Sequence, residues 1–428
     1  MTIELGTAKL DITPTAAVPL AGFAHRKDRT AEVRRPLHVR AWLFRQRSGS
    51  ETKHALLLQA DLIWWGTAHV QSMKQVIARK WGIARDCIMF HASHTHGGPQ
   101  TTGEFSPELG VMDSSYIMFL EQKVHEAVAA AHEQLEEVTM QLGMGSCEGI
   151  GVNRRKIVKG EAAFAPNPSG PHDHTVTVIR CLTADGRTKG LLFHFTCHPT
   201  TTSANRVDAE YCGVAMERLD AIYGAGASCF LQGCCGDIRP HLERDGQFYS
   251  GGDEEVIQAG ERLAGAVATV LQGAMKPLEP APLEGKTVQA ALPFRETPLD
   301  VTHPPLKEPD PITAVWRSLK RAGRLVPEKG LTLDIQLLVL AKELALLAMN
   351  GEMVVEYGLW IKQQSSSTIL PLGYSNGMVG YVPVARQLAE GGYEGATSGF
   401  AFSYPAQLDP AAELNIKTAI GELLAPHD

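Results

Sequence analysis

No basic run, no Cys-x-x-Cys pair, no fixed-period repeat and no low-complexity tract occurs in this sequence of 428 residues. Each absence removes a class of function. Without a cluster of Lys and Arg, and with a formal net charge of −7, the chain offers no patch for a phosphate backbone, so nucleic acid is not an expected partner. Its eight cysteines include the adjacent pair Cys234 and Cys235, but Cys87, Cys181 and Cys229 lie inside apolar runs, where cysteine acts as a small hydrophobe. They make poor zinc ligands, and the usage points to a reducing compartment. The opening "MTIELGTAKLDITP" has neither a basic start nor an apolar core segment, so it reads as a strand rather than a secretory signal, and the cytoplasm is the expected location. The longest apolar stretch, "LTLDIQLLVLAKELALLAMNGE" (331–352), is interrupted by Asp334, Gln336, Lys342 and Glu343. A membrane span should not carry those groups, and two buried strands turning at Lys342–Glu343 are expected instead.

What is present is an ordinary globular composition, 44% hydrophobic and 20% charged. Short apolar, β-rich runs fall at 5–12, 37–46, 54–62, 86–91, 138–146, 174–182, 190–197, 227–231, 285–292, 333–340 and 343–349. Helical periodicity falls at 67–80, 114–136, 208–223, 252–272, 309–322, 353–364 and 409–424. This alternation predicts an α/β fold, a mixed β-sheet core covered by helices. The strongest break is "PFRETPLDVTHPPLKEPDP" (293–311), with six prolines among nineteen residues. Such a stretch is expected to form neither a sheet interior nor a helix. We read it as a surface excursion within one domain spanning 1–428.

Polar residues recur where apolar strands stop. In "IMFHASHTHGGPQTTGEF", His94 and His96 are two apart, so on an extended strand end they point the same way, and glycines follow. "LLFHFTCHPTTT" ends its strand at His198, "QGCCGDIRPH" places Asp237 and Arg239 after "ASCFL", "AMNGEMVVE" places Glu352 after a Gly turn, and Asp61 ends "LLLQAD". Strand ends are where α/β sheets place ligands. Buried without partners such groups are costly, and a shared metal resolves the cost; two histidines, a carboxylate and an open position form a catalytic zinc arrangement. Histidines satisfied by local hydrogen bonds are the alternative.

Taken in order, "GTAKLDITP", "AGFAHR", "RRPLHVRAWLF", "SHTHGGP", "GVNRR", "HFTCHPTTT", "QGCCGDIRP", "MNGEM" and "SNGMVGYVPVARQLAEGGYEGA" resemble the neutral/alkaline non-lysosomal ceramidases, zinc-dependent N-acylsphingosine amidohydrolases. The resemblance runs along nearly the whole chain. It implies an α/β catalytic domain, here without the immunoglobulin-like domain that usually follows. It implies one zinc held by His94, His198, Glu352 and Tyr381, with His96, Arg154 and Tyr393 as catalytic neighbours. One departure stands out. The family pattern Gly-Asp-Val-Ser-Pro, with its catalytic serine, reads "GDIRP" here, so Arg239 replaces the hydroxyl.

An arginine there favours an anionic substrate group, with Arg239 and Asp237 as substrate-binding residues, unless Arg239 forms a structural ion pair with Asp237 or Glu243. Attack by zinc-bound water or hydroxide needs no serine. The expected activity is therefore zinc-dependent hydrolysis of an amide bond in a small-molecule N-acyl substrate, ceramide or another. A lactone or ester hydrolase, a metallophosphoesterase and a zinc-containing binding protein without catalysis are the alternatives.

Overall fold

The computed structural model describes residues 2–224, 226–299, 310–326 and 329–425. Eight strands form one continuous mixed path whose spatial order is Ser228–Gln232, Thr188–Phe195, Thr175–Thr183, Glu136–Ser146, Thr2–Asp11, His38–Ser48, Glu51–Ala60 and Ile88–Ala92. The inner neighbours are antiparallel, and each edge strand runs parallel to the one beside it. Apolar runs such as Leu56, Leu57 and Leu58 are wholly buried, as strands covered on both faces require.

The two edges of this path come back together. His91, on one edge strand, accepts a 2.8 Å hydrogen bond at Nε2 from the backbone N–H of Gln232, on the other. Its Nδ1 lies 2.8 Å from the Ser375 hydroxyl. His91 is thus a structural clasp, and it brings the loops after Ile88–Ala92 and after Thr188–Phe195 to one place.

A second sheet, ordered Thr368–Leu372, Leu344–Met349, Gly330–Ala341, Glu284–Pro298 and Ala406–Leu408, supplies the remaining site residues. Its central strands turn at Lys342 and Glu343, as the sequence predicts. No helix among the described residues is long and apolar enough to cross a membrane. Buried apolar side chains of both sheets, from Ile3 to Leu423, form one contiguous cluster.

The proline-rich segment departs from expectation. Residues 293–298 continue the strand Glu284–Pro298, and Phe294 and Pro298 pair with Leu408 and Ala406 across an irregular register. Proline is tolerated where the ladder is broken in this way. Pro311 opens the helix Pro311–Arg321 behind the Asp310 cap, another position that lacks an obligatory N–H donor. Residues 300–309 of the expected excursion lie outside the described residues.

The helices fall where periodicity places them, from Thr67–Trp81 to Ala411–Leu424. The hairpin Gly151–Val158 with Glu161–Asn167 and the segment Ala385–Thr397 are elements the sequence reading did not assign. Both border the site.

Candidate active site

His94 leaves the strand Ile88–Ala92 in a left-handed backbone conformation (φ 69°), which turns its ring inward. Its Nδ1 lies 2.8 Å from the carbonyl of Ile63. A carbonyl only accepts, so Nδ1 donates to it, and that bond aims Nε2 into the site. His198 repeats the arrangement, with Nδ1 2.6 Å from the Cys235 carbonyl and 2.9 Å from that of Ile238. Both Nε2 atoms lie 3.4 Å from Oε2 of Glu352.

Glu352 is placed by a short parallel pairing in which it sits directly beside Tyr381. Burial holds His198 neutral, its pKa pushed down to about 4, with the Arg154 charge adding to the effect. Nε2 of His94, Nε2 of His198 and Oε2 of Glu352 therefore face one another as three potential ligands of a single ion. His94 Nε2 and Glu352 Oε2 are buried and otherwise unpartnered. A dehydrated carboxylate against two imidazole lone pairs is unstable unless a cation lies among them. The donor set, two imidazoles and a carboxylate, fits zinc.

His96 is half-buried, and neither ring nitrogen has a partner. Its ligand-type atoms and those of His94 and His198 lie within 4.8 Å of one another, so His96 has the reach of a ligand as well as of a neighbour. Phe23 packs on its ring at 4.7 Å, and Gly22 passes so close that a Cβ there would lie 2.2 Å from Nδ1. Only glycine fits that position, which also has φ 98°.

Tyr381 brings its hydroxyl to 3.5 Å from His198 Nε2 and accepts a 3.0 Å hydrogen bond from Arg154. Arg154 is held from behind by Glu394 at 2.6 Å, and Arg155 grips the other oxygen of that carboxylate at 2.7 Å. Tyr393 packs edge-on against Tyr381, 5.2 Å between ring centroids. All seven residues expected as ligands or catalytic neighbours thus converge from five separate segments.

The two residues expected to bind substrate diverge. Asp237 is wholly buried and accepts hydrogen bonds from the Val355 N–H (2.8 Å), Asn153 (3.1 Å) and Gln387 (3.0 Å). Those bonds join the 151–158 hairpin to the second half of the chain, leaving the carboxylate no free face for substrate. These bonds give Asp237 an architectural role. Burial pushes its pKa up to about 6.

Arg239 pairs with neither Asp237 nor Glu243. Among the described residues its guanidinium makes no hydrogen bond or ion pair, and the buried Nε has no partner. Its guanidinium lies 4.4 Å from the Phe248 ring centroid and 5.5 Å from that of Phe164, whose ring Arg154 also approaches at 5.2 Å. Burial, followed by the Arg154 charge, pushes the Arg239 pKa down to about 10. Asp61 stands apart, bound to Arg40 at 3.1 Å in a separate buried network.

The sequence reading missed Glu394 and Tyr374. Glu394 follows Tyr393 directly but carries no motif of its own. Tyr374 stacks on His94 with centroids 3.8 Å apart, and its hydroxyl lies 3.1 Å from Cys235 Sγ. Its left-handed backbone (φ 54°) was the one feature that could have marked it, and no sequence shows that.

Residues 3–243 match the family model for the N-terminal part of the neutral/alkaline non-lysosomal ceramidases. The chain belongs to this family. It is 24% identical over 274 residues to the neutral ceramidase of Mycobacterium tuberculosis, covering 56% of this chain and 41% of that protein. This chain therefore spans about two fifths of that curated relative's length. Its fold is similar to the crystal structure of neutral ceramidase from Pseudomonas aeruginosa, with TM-score 0.76 at 17% identity over 99% of this chain and 74% of that one. A ceramidase complexed with C2 gives TM-score 0.77 at 16% identity, covering 98% and 74%. At these identities the structural likeness is one of fold.

Proposed function

We propose that this member of the ceramidase family is a zinc-dependent hydrolase of amide bonds, acting on N-acyl substrates that carry an anionic group. The observation that carries the reading is the buried trio of His94 Nε2, His198 Nε2 and Glu352 Oε2, facing one another at 3.4 Å across each carboxylate–imidazole gap. His94, His198 and Glu352 would hold the ion, with Tyr381 as the fourth donor. Zinc in such a site supplies a Lewis acid and a water that ionises near neutral pH.

The chain's own groups account for the remaining work. His96, neutral and free at both ring nitrogens, is placed to take a proton from the attacking water and return one to the leaving nitrogen. Burial holds its pKa well below the usual histidine value, so it begins the reaction uncharged. Burial raises the Tyr393 pKa, which keeps its hydroxyl a donor available to the developing oxyanion. Arg154, aligned by Glu394, holds positive charge against Tyr381 on the same side.

Arg239 gives the substrate its sign. A half-buried guanidinium with no carboxylate of its own is an incomplete ion pair, and a substrate carboxylate or similar anion completes it. That reading separates this chain from the serine-bearing pattern of its family. Ester or lactone cleavage at the same centre is the second reading, because the absence of a hydroxyl at position 239 leaves water as the nucleophile for any acyl group.

The test is zinc analysis of the purified protein, followed by a panel of N-acyl amino acids, ceramides, lactones and phosphoesters. Stoichiometric zinc with turnover of the acidic N-acyl compounds is expected. Full zinc occupancy with no turnover of any panel member would leave a binding protein in place of the enzyme.

A further inference from the structure

The helix Thr67–Trp81 buries Val70, Met73, Lys74 and Ile77. These positions follow the i, i+3, i+4, i+7 spacing of an apolar helix face, and a lysine occupies one of them. Lys74 is 7% exposed, and among the described residues its amine makes no hydrogen bond or ion pair. Its stem lies along apolar surface, as lysine stems commonly do, while the amine is not among the fully buried unpartnered atoms and opens into a cavity rather than onto the outer surface. A methionine would fill the same space without the cost of dehydrating a charge.

Lys74 lines a cavity of about 370 Å³ between this helix, the turn before Ile88 and the second sheet. The cavity shares no residue with the histidine cluster. At its floor the buried amides are already committed: Asn376 donates to Gln336 at 2.6 Å, and Gln336 donates to the carbonyls of Asp86 (2.6 Å) and Ile88 (3.1 Å). Toward the mouth stand Asp86, exposed, and Asp334, half-buried. Each uses one oxygen, Asp86 for Thr287 and Asp334 for Gln289, both at 2.8 Å. Both carboxylates act on the Lys74 amine through space without reaching ion-pair distance. The free valences are therefore an ammonium at the floor and one oxygen on each of two carboxylates nearer the entrance.

We propose that this cavity binds a small zwitterion, an α-amino acid or a short ω-amino acid, with its carboxylate on Lys74 and its ammonium between Asp86 and Asp334. A simple anion is repelled by the two carboxylates, and a simple cation by Lys74 and by Arg85 at the rim. The volume lies near the lower end of the range for small-molecule pockets, and the walls are polar, which suits one short ligand without a large apolar part.

The experiment uses the full chain in calorimetry and thermal-shift titrations with the standard amino acids, β-alanine and 4-aminobutyrate. Acetate and ethylamine serve as half-ligands, and Lys74→Met and Asp334→Asn as variants. At least one zwitterion should bind at one site per chain and raise Tm, while both half-ligands bind at least tenfold more weakly. Lys74→Met should abolish binding and Asp334→Asn weaken it tenfold or more, each with hydrolase activity unchanged. The proposal is overturned if no zwitterion binds the wild type, if a half-ligand binds as tightly as the best zwitterion, or if either variant binds like the wild type.

Discussion

Tyr374 lies against His94 with its ring tilted by only 24° from the imidazole plane. Together with the Nδ1 contact to the Ile63 carbonyl this stack orients the His94 ring, although Tyr374 itself is not one of the proposed zinc ligands. Tyr374→Ala should weaken zinc affinity by about 10–100-fold, the usual effect of losing a group that orients a ligand. Tyr374→Phe keeps the stack and should stay within a few-fold of wild type. Competition against a chelator of known affinity measures both.

Arg239→Ala should raise KM strongly for acidic N-acyl substrates and leave zinc content unchanged. A lost charge-assisted contact in a partly buried pocket costs about 2–5 kcal/mol of binding. Arg239→Ser should move preference toward neutral amides. The ratio of kcat/KM for an anionic substrate to that for its neutral amide counterpart is the measurement, and an unchanged ratio in both variants assigns Arg239 a packing role.

Glu394→Gln should be costly. Arg154 and Arg155 are both buried against that one carboxylate. Removing its charge leaves two guanidinium groups with weaker partners, and breaking a buried pair typically costs about 3–5 kcal/mol. Urea denaturation should show that loss, and activity in the folded fraction should fall with it, because Arg154 no longer has a fixed pose beside Tyr381.

Stability should also carry the mark of Lys74. Burial outweighs the pull of Asp86 and Asp334, and with the Arg85 charge it lowers the folded pKa from 10.5 to about 8. The unfolded chain therefore binds this proton more tightly, and the native state is penalised below about pH 8. The penalty fades as pH rises from 8 toward 10.5. Lys74→Met should be more stable than wild type at pH 7 by about 2–3 kcal/mol, with the gap closing by pH 10.5. Urea midpoints at the two pH values check the sign.

One domain is our reading of the whole chain, and the shared apolar cluster of both sheets supports it. Calorimetry should give a single unfolding transition that includes loss of the site. Two separated transitions, with the metal lost in only one, would refute that reading.

Much of this was legible from residues alone. Period-two and period-3.6 patterns located the long strands and helices, and the histidine and glutamate segments were recognisable at the ends of apolar runs, whereas Tyr381 and Tyr393 were singled out only by the family resemblance. Asp237 misled because a carboxylate after a strand looks the same whether it faces a ligand or three buried donors. The strand through Pro293 and Pro298 was hidden because proline signals a break, and only the partner strand Ala406–Leu408 reveals that the ladder tolerates it. Glu394 and Tyr374 act through contacts with residues far away in sequence, and the burial of Lys74 depends on packing against distant segments; no local pattern announces either.

The donors do not reside in one stretch of chain. His94 and His198 lie within the segment that matches the family model, whereas Glu352 and Tyr381 are synthesised more than a hundred residues after it ends at 243. A ribosome releasing its product early, or a protease cutting between the halves, would leave imidazoles without their counter-charge. On the proposed ligand set, loading of zinc would act as a completeness check on the polypeptide: only a chain translated through Tyr381, with its two sheets docked, would contain all four donors.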